Sequence, residues 1–166
     1  MVRSLMSEID LWEKYHYESK QTICVIGVLI LSTKLCQADG HFSDREESEI
    51  LSIVPHESGQ RHTLKKIIIE ASKDTNPIVH HASNLKKLLK DEQPDFLEFI
   101  VAVLYRLAHS DNLYSQSEDD DIREVSKIFG IKKDLSDNCK DLFSNIFLKV
   151  TNLIKKKTEN INAKFR

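Results

Sequence analysis

The stretch LCQADGHFSDREESEI, residues 35–50, decides how the surrounding chain folds. Its apolar start continues a helical pattern from upstream, and Gly40 can adopt the left-handed conformation that ends a helix. Ser43 followed three residues later by Glu46 has the spacing of a capping box, in which each side chain satisfies a free backbone amide of the next helix. The stretch therefore predicts a helix, a tight acidic turn and a second helix.

The same plan occurs again at an offset of 72 residues, with residues 103–122 aligned on residues 31–50. The repeated positions are an acidic turn residue, a capping serine and a glutamate: Asp39 and Asp111, Ser43 and Ser115, Glu46 and Glu118. Asn112 stands where the first copy has Gly40, and asparagine tolerates the left-handed region better than most other residues. We therefore expect two related helix-turn-helix units.

Apolar residues follow helical spacing in most of the remaining chain, and no window alternates as a half-buried strand does. The helix from about Lys20 to Gln37 is almost entirely apolar in its first half, which predicts a central position, and Gly27 would let a neighbouring helix approach closely. Asn76 and Pro77 predict an N-cap and first helical residue. The pattern predicts an all-α bundle of seven to eight helices, with a helical arm at 1–19, the bundle at 20–132 and a C-terminal helix with a basic tail at 133–166.

Composition excludes several classes of protein. The net charge of −2 lacks the basic excess of a nucleic-acid-binding protein. Three separated cysteines without a CxxC pair argue against a disulfide framework or a zinc site and favour a reduced, cytoplasmic setting. No arrangement of nucleophile and base and no glycine-rich phosphate loop is visible, so we expect no enzyme. The basic tail LIKKKTENINAKFR fits contact with the anionic inner membrane surface, contact with an acidic face of a protein partner, or a frayed terminus.

The two turn sequences, LCQADGHFSDREESEI and LYRLAHSDNLYSQSEDDDIREVSKIFGI, resemble the paired signatures of TerB-like domains. That family includes the tellurite-resistance protein TerB and the N-terminal domain of DjlA-type co-chaperones, and the resemblance extends to the version that precedes J domains in alphaproteobacterial proteins. The resemblance implies a TerB-like helical bundle with a regulatory or scaffold role in stress or envelope-associated processes. The sequence contains no His-Pro-Asp tripeptide, the element through which J domains stimulate their Hsp70 partner.

The resemblance also implies that pseudo-twofold symmetry gathers the four repeated acids at one end of the bundle: Asp39, Glu46, Asp111 and Glu118. Oxygen ligands in that number suit Ca²⁺ or Mg²⁺ better than zinc. The alternative is that both glutamates serve only as helix caps and that the aspartates bond to local backbone amides. Two other interpretations stay open: a metal-free protein-interaction module, and a remnant of a J-domain co-chaperone.

Overall fold

The computed structural model describes residues 10–39, 42–54, 56, 58–89, 94–109 and 115–131. These residues form seven α-helices and contain no strand, which confirms the all-α prediction and the predicted number of helices. In chain order the helices are α1 (Leu11–Tyr15), α2 (Lys20–Cys36), α3 (Asp44–Ile53), α4 (Arg61–Lys73), α5 (Ile78–Leu89), α6 (Pro94–Ala108) and α7 (Gln116–Phe129). Single turns of 3-10 helix at Gln37–Asp39 and Ser58–Gln60 follow α2 and precede α4. The C-terminal helix and basic tail predicted at 133–166 lie outside the described residues.

Helix α2 occupies the centre of the bundle. Ser19 caps its start by accepting a hydrogen bond from the backbone N–H of Thr22 at 3.2 Å. Apart from Val25, every residue from Ile23 to Leu31 is buried, because α4, α5 and α6 pack around this helix. A helix that is apolar on all sides requires such enclosure, as the sequence predicted. No helix in the described part of the chain combines the length and hydrophobicity of a membrane span.

Helices α2 and α5 approach each other closely at Gly27. A Cβ atom at this position would lie 2.7 Å from Leu85 Cδ2 and 2.8 Å from Leu85 Cδ1. These separations are well inside van der Waals contact, and Leu85 is itself fully buried. The glycine predicted to allow a close helix approach is therefore the contact point between α2 and α5.

The helix ends combine predicted and unpredicted features. Gly130 has φ = 76°, and the N–H of Ile131 bonds to the carbonyl of Ser126 at 3.0 Å, which completes a Schellman motif at the end of α7. Helix α5 begins at Ile78, one residue later than predicted. The Asn76 side-chain amide donates a hydrogen bond to Asp74 Oδ1 at 3.2 Å.

Candidate functional site

The two predicted capping boxes are both present and have nearly the same geometry. At the first corner, Glu46 Oε1 accepts hydrogen bonds from the backbone N–H of Ser43 at 2.9 Å and from its hydroxyl at 3.1 Å. At the second, Glu118 Oε1 accepts the corresponding bonds from Ser115 at 3.4 Å and 3.0 Å. Each serine oxygen in turn accepts the backbone N–H of its glutamate. The corners that the repeat predicted are therefore equivalent in structure.

Both corners lie near Cys36, the last residue of α2. Burial raises the pKa of the Cys36 thiol, and the charge and hydrogen bond of Glu46 raise it further, followed by the charges of Glu118 and Glu49. A carboxylate affects a thiol in this way only at short range, because solvent screens more distant charges. Helix α7, which follows the second corner, also packs against the 3-10 turn of the first corner. The structure thus brings Glu46 and Glu118 to the same end of the bundle.

The predicted aspartates are less completely described. Asp39 closes the 3-10 turn Gln37–Asp39, so its backbone lies at the first corner, but its side chain is outside the described part of the structure, as is Asp111. Among the residues that are described, no group of three or more histidine, cysteine, aspartate or glutamate side chains has the geometry to hold a metal ion. The four-residue set stays a prediction, of which the structure describes the two glutamates.

The chemistry of this corner is that of anionic oxygens beside a protonated sulfur. Because its pKa is raised, the Cys36 thiol stays protonated at neutral pH and is a poor nucleophile. Carboxylate oxygens are the ligands that Ca²⁺ and Mg²⁺ prefer. The sequence analysis did not identify Cys36 as the residue near both corner glutamates. The one available signal was its position at the end of α2, directly before the first acidic turn.

Electrostatic asymmetry is visible beyond the corner. Helix α7 begins with several acids, and the pKa of Asp121 is raised by burial and by the neighbouring charges of Asp120 and Glu124. Helix α4 instead exposes Arg61, Lys65, Lys66 and Lys73. The bundle therefore presents an acidic helix and a basic helix, both packed on the apolar α2.

These features define a class: an all-α module in which two capped helix-turn-helix corners converge at one end. The family model for tellurite resistance protein TerB matches residues 25–141, more than half of the chain, and the chain belongs to the TerB family. The matched span includes both corners and Cys36, and it begins after α1. No curated protein and no solved structure matches the chain.

Proposed function

We propose that this chain is a non-enzymatic regulatory or scaffold module in stress or envelope-associated processes, and that it binds a divalent cation at its paired corners. Membership of the TerB family supports the module. The convergence of Glu46 and Glu118 on Cys36 is the observation that supports the cation site. Because a fold can carry many functions, the proposal depends on this corner and not on the helical architecture.

Electrostatics favours a cation at this position. Glu46, Glu118 and Glu49 all raise the pKa of the same partly buried thiol, so three negative charges act on one small region. Like charges brought together in partial burial destabilise one another, and a divalent cation between them would remove that repulsion. Carboxylate ligands select Ca²⁺ or Mg²⁺ over softer metals, and Asp39 and Asp111 would complete the oxygen set.

Capping and cation binding are compatible uses of the same glutamates. In each corner the serine contacts involve only the Oε1 oxygen of the glutamate carboxylate. A carboxylate can accept hydrogen bonds on one oxygen while it offers a lone pair of the other to a metal. The capping box thus fixes the position of each carboxylate without excluding a ligand role.

Two kinds of substitution separate the two uses. Glutamine also serves in a capping box, so Glu46→Gln with Glu118→Gln keeps both caps and removes both charges. Ser43→Ala with Ser115→Ala removes the caps and keeps the charges, at about 1 kcal/mol for each helix. The wild type and both double variants are melted with and without CaCl₂ or MgCl₂. The increase in Tm on adding the cation then shows whether stabilisation depends on the caps or on the carboxylate charges.

We expect a cation at about one hundred times its dissociation constant to stabilise the wild type by roughly 2.7 kcal/mol. For a chain of this size that corresponds to an increase in Tm of roughly 5–10 °C. The serine double variant should melt lower but keep the increase, whereas the glutamine double variant should lose it while melting at or above the wild-type temperature. An equal increase in the glutamine variant, or none in the wild type with either cation, would reject the cation site. Asp39→Asn with Asp111→Asn tests the other two predicted ligands in the same way.

A second candidate function is a metal-free interaction module that contacts an anionic membrane surface, and the exposed face of α4 favours it. Ile69 lies at the centre of that face with 46% of its surface exposed. Lys65, Lys66 and Lys73 are its neighbours at spacings of four, three and four residues, and all three are exposed. None of these lysines forms an ion pair with a described carboxylate. An apolar side chain ringed by unneutralised cations suits a surface of lipid phosphates above acyl chains.

Vesicle binding tests this second candidate. Phosphatidylcholine vesicles with and without phosphatidylglycerol are sedimented with the full chain at low salt. Each lysine near an anionic surface contributes about 1 kcal/mol, so Lys65→Gln with Lys66→Gln should weaken binding roughly 30-fold. The matched control removes two exposed lysines from α5 and α7, Lys87 and Lys127, and should have a much smaller effect. Equal losses in the two variants would show that net charge, and not the face of α4, determines binding.

A further inference from the structure

Helix α1 lies before residues 25–141, the span that the TerB family model matches. It has only five residues, too few to be stable as an isolated helix. Leu11 and Trp12 are nevertheless buried, with 9% and 3% of their surfaces exposed. Contacts with α4 and α5 must therefore hold α1 in place.

The main polar contact of α1 is a buried chain of two hydrogen bonds that links Trp12 to His81 and His81 to Asp74. The indole Nε1–H of Trp12 donates to His81 Nδ1 at 3.0 Å, and His81 Nε2 lies 2.7 Å from Asp74 Oδ2. An indole nitrogen can only donate, so Nδ1 must be the unprotonated nitrogen of a neutral ring, and Nε2–H must donate to the carboxylate. His81 is fully buried, and these two hydrogen bonds fix its tautomer as well as its position.

Further contacts along α1 are more exposed. Asp10 caps the helix through Oδ1, which accepts the backbone N–H of Trp12 at 2.9 Å, and its Oδ2 lies 2.5 Å from His80 Nε2. Toward the end of α1, Lys14 Nζ and the Tyr15 hydroxyl bond to the two carboxylate oxygens of Glu70, at 2.9 Å and 3.0 Å. These contacts align α1 across α4 and α5, and water can compete for each of them.

We infer that α1 is a proton-controlled latch: a second proton on His81 removes the acceptor of the Trp12 indole and releases α1 from the surface of α4 and α5. The proton comes from solvent and must enter at Nδ1, because Nε2 already carries one. Two N–H groups would then face each other at 3.0 Å, so the indole must leave. Release uncovers the apolar surface that Leu11 and Trp12 cover.

Burial of the ring and the charges around it together determine the direction of the response. The groups concerned come from every neighbouring segment: Asp74 between α4 and α5, Lys34 from α2, His80 from α5, Asp10 and Lys14 from α1, and Glu70 from α4. Burial lowers the pKa of His81, the hydrogen bond and charge of Asp74 oppose this, and the charges of His80 and Lys34 add to it. The docked state therefore favours the neutral ring, and acid favours release.

His80 does not reverse this direction. Its contact with Asp10 is an ion pair only when His80 carries a proton. However, the His80 side chain is 35% exposed and that of Asp10 is 24% exposed, so solvent screens the pair and limits its contribution. The Trp12 hydrogen bond is buried, where an unpaired polar group is far more costly.

Trp12 is the only tryptophan of the chain, so its fluorescence reports directly on the latch. The full chain is titrated from pH 8 to pH 5 while tryptophan emission and far-ultraviolet circular dichroism are recorded. We expect emission to shift to the red, toward the value of the denatured chain, while the helical signal of the bundle persists. Emission that does not change with pH, or that changes only together with loss of the helical signal, would overturn the latch.

Variants locate the proton. His81→Gln should abolish the acid shift, whereas His62→Gln, at an exposed histidine of α4, should leave it unchanged. If the His81 variant shows the same acid-induced shift in emission as the wild type, another group causes the shift and the proposal is overturned. If His81→Gln does not fold, Trp12→Phe provides the second measurement, because it keeps an aromatic ring and removes the N–H donor to His81. Hydrogen–deuterium exchange of the amides of α1 should then be faster at neutral pH than in the wild type and lose its acid step, and unchanged exchange would contradict the latch.

Discussion

Gly27→Ala is the most direct test of the packing described above. The added Cβ would lie 2.7 Å and 2.8 Å from the two methyl carbons of Leu85 and 3.3 Å from its Cγ. Leu85 cannot move aside without disturbing its neighbours, because it is fully buried between α5 and α2. Overpacking of this kind costs about 1–3 kcal/mol, while exchanging glycine for alanine inside a helix returns about 1 kcal/mol. The difference is a net loss of up to about 2 kcal/mol in the free energy of unfolding, or up to roughly 4–8 °C in Tm.

Urea unfolding followed by circular dichroism measures this loss, and Gly59→Ala is the matched control. A Cβ at Gly59 meets no described atom within 4 Å, so that variant should unfold within about 0.5 kcal/mol of the wild type. A double-mutant cycle isolates the contact. Leu85→Ala alone should cost about 2–5 kcal/mol, but adding Gly27→Ala to it should then be neutral or stabilising, because the obstructing methyl groups are gone. The same destabilisation in both backgrounds would refute the steric explanation.

Three other measurements test the helix interior, a helix end and the buried histidine. Ser32→Ala should be neutral or stabilise by up to about 1 kcal/mol in urea unfolding, because the buried Ser32 hydroxyl has no hydrogen-bond partner among the described residues. Thr33→Val should instead destabilise by about 1 kcal/mol, because it loses the 2.7 Å hydrogen bond from the Thr33 hydroxyl to the carbonyl oxygen of Leu29. Gly130→Ala should lower stability by about 1–2 kcal/mol because of its positive φ, and an unchanged melting temperature would contradict that strain. The free energy of unfolding should be highest above pH 6.5, the ordinary pKa of histidine. It should fall as the pH drops through the lower pKa of His81 in the folded chain, because the unfolded chain then binds a proton that the folded ring resists. A stability profile that rises with acid over this range would show that the sign is wrong.

Local signals in the sequence were sufficient for much of the fold. The capping boxes at Ser43 and Ser115 and the stop at Gly130 depend only on residues within one turn, and all three are confirmed. The central position of α2 followed from its lack of a polar face. These features were predictable because short-range backbone chemistry determines them.

Long-range contacts were not predictable in the same way. The Trp12 and His81 side chains are 69 residues apart in the sequence, and their hydrogen bond depends on where α1 lies across α4 and α5. The approach of both corner glutamates to Cys36 likewise depends on how α3 and α7 pack at the end of α2. The repeat predicted equivalent corners, but no spacing rule indicates which third side chain would lie between them.

The environment of Cys36 has a consequence for the durability of the protein. Peroxides and alkylating agents attack the thiolate form of cysteine, and burial together with neighbouring carboxylates keeps this sulfur in its protonated form. Cys24, fully buried in α2, is shielded by burial, which likewise raises its pKa. Under oxidising conditions both of these sulfurs would therefore stay reduced, and the acidic end of the module chemically intact, while the low-pKa thiols of other proteins are consumed.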